Sequence, residues 1–291
     1  MSARDAEGSI RVALVQMRSG RDPAANRDEA VARVREAAAL GAAYVQTPEM
    51  TALLERDKAA LFDKIRDFDA DETIAALRET ARETGTIVHI GSLAVREGDK
   101  VANRAVLVGP DGEISATYDK LHMFDVDLPN GETWRESATF VAGAEAVLAH
   151  TPIGAIGLSI CYDIRFPYLY RAYAEAGARI LAAPAAFTRQ TGEAHWQVLQ
   201  RARAIETGCF VLSAAQGGRH EDGRETYGHS IIVDPWGVVL AEGGTEPGLV
   251  TAQIDLSAVD RARSRIPSLV HTRAVRLAQS GGLPDARRDA M

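Results

Sequence analysis

The sequence predicts an α/β fold, and two observations lead to that prediction. Short apolar runs rich in β-branched residues alternate with amphipathic stretches of helical length. The strand-like runs are almost continuously apolar, which is typical of sheets covered on their faces by helices. No Pro/Ser-rich or low-complexity linker divides the 291 residues. We therefore expect one domain over residues 1–279, with two similar halves as an option, and a loose tail over 280–291.

The first half is expected to alternate strands with helices. Asp22-Pro23 is a helix start signal and Gly41 ends that helix, while Gly85 ends the next one. Pro110-Asp111-Gly112 reads as a turn between two strands. The expected strands are 10–17, 42–46, 86–95, 104–109 and 114–117, and the expected helices are 22–41 and 71–84.

The second half begins with a hairpin that ends at Cys161, and its last third is expected to be mainly β. The Thr151–Gly154 turn joins the two hairpin strands, and Pro235-Trp236-Gly237 forms a later turn. The expected strands are 147–150, 155–160, 179–183, 209–215, 229–234, 238–241 and 249–255, and the expected helices are 167–177 and 193–207.

Composition excludes several classes of protein. The formal net charge is −7, with no basic patch to neutralise phosphates, so we expect no nucleic-acid partner. No apolar run approaches a membrane span, and residues 1–9 do not resemble a signal peptide. The two cysteines form no CxxC motif or Cys/His cluster, so we expect neither metal nor cofactor. The expected place is the cytoplasm, where thiols stay reduced.

Cys161 is the first candidate for chemistry. It lies between the end of a predicted strand and the start of a predicted helix. Free backbone N–H groups at such a junction favour a thiolate and could stabilise an oxyanion. Position alone favours a nucleophile no more than a buried, inert thiol. Cys209 begins the apolar run 209–212, and there the inert role is the better interpretation.

A nucleophilic thiol needs a base and a group that stabilises charge. Glu49 follows a predicted strand, at the kind of sheet edge where active sites gather. Lys120 lies just beyond another strand, and its ammonium could lower the pKa of a thiol. Taken singly, Glu49 and Lys120 are better explained as surface residues, and Glu136 is similarly ambiguous.

Histidine offers an alternative partner for Cys161. A papain-like arrangement would use His122, His195 or His229, but their spacing selects none of them. His195, beside Trp196, is better explained as a structural residue.

Taken together, these segments resemble the nitrilase superfamily of carbon–nitrogen hydrolases over residues 10–273. Its three signatures occur in order, as Thr47-Pro48-Glu49-Met50, Tyr118-Asp119-Lys120-Leu121-His122 and Ser159-Ile160-Cys161-Tyr162-Asp163-Ile164-Arg165-Phe166-Pro167. The resemblance implies a four-layer α-β-β-α sandwich, at least a homodimer, and a Glu49-Lys120-Cys161 triad supported by Glu136. Gln46-Thr47 departs from the family, which usually carries apolar residues there, so the local packing should differ.

Within the superfamily the chain resembles the Nit branch of ω-amidases and deaminated glutathione amidases. The segment 186–196 is common to both, whereas the segments 214–220, 227–230 and 234–237 look more similar to the deaminated glutathione amidases. The resemblance implies that Arg165, Phe187 and Thr191 meet a substrate carboxylate, although a salt bridge to a nearby Asp is an alternative role for Arg165. It also implies that the Tyr162 N–H assists Lys120 at the oxyanion.

The expected function is hydrolysis of a small carboxylated amide through a Cys thioester, with release of ammonia. The expected substrate is deaminated glutathione or the ω-amide of a 2-oxo acid. Two alternatives remain. One is a nitrilase or N-carbamoyl amino acid amidase that uses the same centre. The other is a non-enzymatic scaffold, which loss of a triad residue would favour, and none is lost.

Overall fold

The computed structural model describes residues 9–129 and 131–278, so the expected tail over 280–291 lies outside the described residues. The strands are β1 Ser9–Gln16, β2 Ala42–Gln46, β3 Ile87–Glu97, β4 Lys100–Val108, β5 Ile114–Asp119, β6 Asp125–Asp127, β7 Thr133–Arg135, β8 Phe140–Val141, β9 Leu148–Thr151, β10 Gly154–Leu158, β11 Ile180–Ala182, β12 Phe210–Ser213, β13 Gly217–Arg219, β14 Glu225–Tyr227, β15 Ile231–Val233, β16 Val239–Glu242 and β17 Gly248–Asp255. The helices are α1 Pro23–Ala39, α2 Lys58–Lys64, α3 Glu72–Thr84, α4 Pro167–Glu175, α5 Arg189–Thr207 and α6 Ser257–Arg265.

The two large sheets have similar strand topologies. The first has the order β17-β1-β2-β3-β4-β5, with β8 beside β4, and the second has the order β16-β15-β12-β11-β10-β9. In each sheet three neighbouring strands are parallel, β1-β2-β3 in one and β10-β11-β12 in the other. Helices α1 and α3 connect the first set, and α4 and α5 connect the second. The two halves therefore repeat one topology.

Three buried clusters show how the layers stack. The first fills the space between the sheets and contains Leu14 and Tyr44 from one sheet and Leu158 and Phe210 from the other. The second packs α1 and α3 on the outer face of the first sheet, and the third packs α4 and α5 on the outer face of the second. The expected four-layer α-β-β-α sandwich is thus confirmed.

Capping residues set the helix starts. The Asp22 and Asp71 carboxylates accept hydrogen bonds from backbone N–H groups in the first turns of α1 and α3, as their sequences indicate. The expected start of α5 at residue 193 was wrong. That helix begins at Arg189, because the Thr188 side chain accepts from the Thr191 N–H and acts as its cap. No sequence pattern had indicated α2, α6 or the β6–β7 hairpin.

The unusual polar pair Gln46-Thr47 has a structural explanation. The Gln46 side chain accepts a 2.7 Å hydrogen bond from the Ala214 N–H in the opposite sheet and donates to Tyr44 Oη at 3.1 Å. The Thr47 hydroxyl accepts from the Gly91 N–H at 3.1 Å. A Cβ on Gly91 would lie 2.1 Å from the Thr47 carbonyl oxygen, so only glycine allows this close approach.

None of the helices within residues 9–129 and 131–278 combines the length and apolar character needed to cross a bilayer.

Candidate active site

Strand ends from both sheets bring Glu49, Lys120 and Cys161 together. Glu49 follows β2, Lys120 follows β5, and Cys161 follows β10. The Lys120 Nζ lies 3.0 Å from Glu49 Oε1, and the Cys161 thiol is close enough to both charged groups for them to shift its pKa. All three side chains line one cavity of about 280 Å³. The three residues that the motifs predicted therefore meet at a single place.

The backbone of Cys161 is held in an unusual conformation. Its φ is +49°, a left-handed value that non-glycine residues adopt rarely and at some cost in strain. The Cys161 N–H donates to the Pro184 carbonyl at 2.9 Å, which ties the turn to the end of β11. A 3₁₀ turn over Cys161–Arg165 follows at once. The Tyr162 N–H belongs to its first turn, where backbone donors lack helical partners.

Glu49 is a buried carboxylate with three donors. Oε1 accepts from Lys120 Nζ at 3.0 Å and from Asn103 Nδ2 at 2.9 Å, and Oε2 accepts from the Ala186 N–H at 2.8 Å. Burial alone would raise the pKa of this carboxyl. The Lys120 charge and the hydrogen bonds outweigh burial, so the pKa lies below its usual range. Glu49 is thus ionised at neutral pH.

Lys120 lies between two carboxylates and is only 2% exposed. Its ammonium contacts Glu136 Oε1 at 3.0 Å and Oε2 at 2.9 Å, in addition to Glu49. Burial would lower the pKa of Lys120, but the charges of Glu136 and Glu49 raise it well above its ordinary value. The Phe124 N–H donates to Glu136 Oε2 at 2.7 Å and holds that carboxylate in place.

The Cys161 thiol is protonated in this resting arrangement. Burial and the nearby Glu49 charge raise the pKa of the thiol well above its ordinary value, although Lys120 opposes them. These surroundings therefore favour an ionised Glu49 carboxylate and a protonated Cys161 thiol, which line the same cavity. This is the arrangement that a general base needs before it can take a proton.

Arg165 also lines the cavity, beside two aromatic rings. Its Cζ lies 5.8 Å from the centre of the Tyr162 ring and 5.4 Å from that of Phe187. Within the described residues it contacts His195 Nδ1 at 3.3 Å and forms no ion pair with a carboxylate. The neighbouring Asp163 instead accepts from Tyr118 Oη at 2.7 Å. The alternative role of Arg165 in a salt bridge to a nearby Asp therefore has no support among the described residues.

Phe187 and Thr191 also line the cavity. Phe187 is buried and packs edge-on against Trp196 with ring centres 5.0 Å apart. The Thr191 hydroxyl lies 2.9 Å from that of Thr188, and its N–H takes part in the cap of α5. The Thr191 hydroxyl thus has a protein partner already.

The other candidates lie away from the cavity. In the described part of the chain no histidine lines it, and His122 is held 2.7 Å from Asp163 instead. Cys209 is 0% exposed, with Arg263 Nη2 3.0 Å from its sulfur. Between residues 9 and 278, Asn130 aside, no group of three or more His, Cys, Asp or Glu side chains is placed to hold a metal ion.

Sequence reasoning missed several residues of the site. Asn103 Nδ2 contacts Oε1 of both Glu49 and Glu136, at 2.9 and 3.3 Å. An amide side chain within the buried apolar strand β4 was the available signal. Two arginines and a tryptophan, Arg56, Arg224 and Trp134, also line the cavity, and nothing in their sequence context marked them.

Comparison with known proteins identifies the family. The family described as carbon-nitrogen hydrolase matches residues 11–264. A deaminated glutathione amidase of Synechocystis is 41% identical over 264 residues, which cover 89% of this chain and 96% of the relative. That of Homo sapiens is 41% identical over 268 residues, which cover 90% and 82% respectively. The crystal structure of the C. elegans NitFhit protein matches with a TM-score of 0.86 and 36% identity, over 97% of this chain and 71% of that one.

The chain belongs to the carbon–nitrogen hydrolase family, that is, to the nitrilase superfamily that its motifs indicated. Within that family it groups with the Nit-type proteins and is an amidase.

Proposed function

We propose that this amidase hydrolyses amides of a 2-oxo dicarboxylic acid through a thioester on Cys161. The observation that carries the proposal is one cavity that joins the Glu49-Lys120-Cys161 centre to a guanidinium, Arg165, that has no carboxylate partner among the described residues. The first three groups supply the chemistry, and the guanidinium supplies a counter-charge for a substrate carboxylate.

Acylation begins when Glu49 takes the thiol proton and the sulfur attacks the amide carbon. The carbonyl oxygen then carries a negative charge, which the Lys120 ammonium and the Tyr162 N–H stabilise. Glu49 delivers the proton to the departing amine, and the C–N bond breaks. Glu49 next takes a proton from water, whose oxygen attacks the thioester, and Cys161 leaves as the thiol. Glu136 and Asn103 hold Lys120 and Glu49 in position.

The relatives' name suggests which amide is cleaved. Glutathione joins cysteinylglycine to the side-chain carboxyl of glutamate, so loss of its amino group leaves a 2-oxo acid in amide linkage to a dipeptide. Hydrolysis of that bond releases cysteinylglycine, and only the primary ω-amide releases ammonia. The expectation of ammonia release therefore applies to one of the two substrates. Both share the same acyl half, whose carboxylate would meet Arg165, with Phe187 as an apolar wall and Thr191 as a polar one.

We further propose that residues 1–279 form one domain, that the protein acts in the cytoplasm, and that it assembles as a homodimer. A reduced thiol is required by the chemistry, which supports the reducing compartment.

Exposed apolar side chains on and near α4 and α5 support an interface between copies, namely Tyr168, Val198, Ile205 and Trp236. Light scattering on the wild type and on Val198→Glu tests the assembly, since a monomeric wild type would contradict it.

The central experiment is labelling with a haloacetamide, followed by peptide mass spectrometry. We expect the label on Cys161 and loss of turnover in Cys161→Ala, whose melting temperature should remain near that of the wild type. Release of 2-oxoglutarate from either proposed substrate is the measure of turnover. A label found only on Cys209 would contradict the proposed mechanism. Normal turnover by the Cys161→Ala variant would contradict it as well.

A further inference from the structure

The cavity has a second cationic wall, separate from Arg165. Arg56 Cζ lies 4.7 Å from the centre of the Trp134 ring, and Arg224 Cζ lies 5.6 Å from the same ring. All three residues line the cavity that contains Cys161. We call Arg56, Trp134 and Arg224 the Trp134 wall.

The charges in this wall do not cancel. Arg224 Nε donates to Asp222 Oδ2 at 2.6 Å, and the Asp222 side chain is 2% exposed, so that pair is neutral. Arg56 is exposed and makes no ion pair within residues 9–129 and 131–278. The adjacent carboxylate, Glu55, already has two partners, Arg21 at 2.7 Å and Lys64 at 3.0 Å. The Glu132 carboxylate accepts from Trp134 Nε1 at 3.4 Å, but no carboxylate of the described residues forms an ion pair with Arg56.

A series of aromatic rings connects the Trp134 wall to Arg165. The Trp134 and Phe124 ring centres are 6.1 Å apart, and those of Phe124 and Tyr162 are 5.1 Å apart. Tyr162 in turn lies 5.8 Å from the Arg165 guanidinium and directly follows Cys161 in the chain. A continuous series of aromatic contacts therefore links the Trp134 wall to Arg165 by way of the ring that follows Cys161 in the chain.

We infer that the Trp134 wall binds the carboxylate of the leaving group, the C-terminus of a short peptide whose amino group forms the scissile amide. This inference rests on the proposed function, which assigns Arg165 to the acyl half. A dipeptide extends about 7 Å beyond the scissile nitrogen, whereas a primary amide has no atoms on that side. The cavity of about 280 Å³ is close to the size of pockets that hold drug-sized ligands. The wall would thus favour the peptide amide over the primary ω-amide.

Such a subsite affects binding more than chemistry. Its contacts are the same before and during C–N cleavage, because the carboxylate lies two residues from the reacting carbon. Uniform binding of this kind lowers KM and leaves kcat nearly unchanged.

The experiment compares three substrates with a common product, 2-oxoglutarate. They are 2-oxoglutaryl-cysteinylglycine, its C-terminal glycinamide, and the primary ω-amide. Each is assayed with the wild type, with Arg56→Gln, and with Arg219→Gln, a control at an exposed arginine outside the cavity. Arg224 is left unchanged, because its removal would strand the buried Asp222 charge.

Arg56→Gln should raise KM for the free-acid peptide substrate roughly tenfold or more, as expected for loss of a charged hydrogen bond. It should leave KM for the glycinamide and for the primary ω-amide unchanged, and Arg219→Gln should change none of them. A similar rise for all three substrates would indicate a structural role, and no rise for the free acid would also overturn the subsite. In either case the proposed function would stand, provided that the wild type still hydrolyses these substrates. A wild type that releases 2-oxoglutarate from none of the three would remove both proposals.

Discussion

Glu49→Gln should separate two roles of Glu49, as the base and as the negative charge that raises the pKa of the Cys161 thiol. A loss of activity alone would not distinguish them. The substitution keeps the shape of the side chain and removes its charge. Turnover should fall by about 10²–10⁴, because a glutamine cannot accept the thiol proton. The pKa of the Cys161 thiol should fall as well, because burial and the Glu49 charge together raise it and the substitution removes the charge. The variant should therefore be a poorer hydrolase with a more readily ionised thiol.

The cost to stability can be worked from the contacts of Glu49. Its Oε1 accepts from Lys120 and Asn103, and its Oε2 accepts from the Ala186 N–H at 2.8 Å. A glutamine whose oxygen keeps the first two bonds turns its NH₂ toward Ala186, so two donors face each other. The loss is about 1–3 kcal/mol, or a fall of roughly 2–5 °C in Tm, and the variant should still fold.

The assay is the rate of iodoacetamide alkylation against pH, measured in a Cys209→Ser background so that only Cys161 reports. The midpoint should lie at lower pH in Glu49→Gln than in the Glu49 parent, while steady-state turnover is nearly lost. Near-normal turnover would refute the role of Glu49 as the base. A midpoint that stays constant or rises would refute the electrostatic coupling between the carboxylate and the thiol.

Three further predictions can be tested on the same protein. Arg165→Lys keeps the charge but loses the planar fork, so KM for an ω-amide acid should rise while its methyl ester is little affected; equal kcat/KM for acid and ester in the wild type would show that no carboxylate is recognised. Glu55 is buried, which would raise its pKa, yet hydrogen bonds from Arg21 and Lys64 lower the pKa to about 2. Its contribution of about 2–3 kcal/mol should be complete above pH 4.5 and vanish as the pH falls toward 2, so urea unfolding of the wild type and of Glu55→Gln should converge in acid. Cys209→Ser should retain full kcat, and a large loss would mean that the buried thiol has a role in the reaction.

The sequence was informative wherever local chemistry decides the outcome. Caps such as Asp22 and Asp71 and the glycine after α3 set helix ends, and motif residues marked the strand ends that carry the centre. It failed where a residue acts through partners distant in sequence. Asn103 reaches Glu49 from 54 residues away, and the Trp134 wall combines three separate segments. No local sequence pattern indicates such contacts, because they form only when the two sheets pack together.

The catalytic residues lie at the interface between the two sheets, and this position affects how the enzyme loses activity. Glu49 and Lys120 extend from one sheet, while Cys161 and the Ala186 N–H belong to the other. A sliding motion of a fraction of an ångström between the layers would separate base from nucleophile without melting either layer. Inactivation on heating should therefore precede the loss of far-ultraviolet circular dichroism.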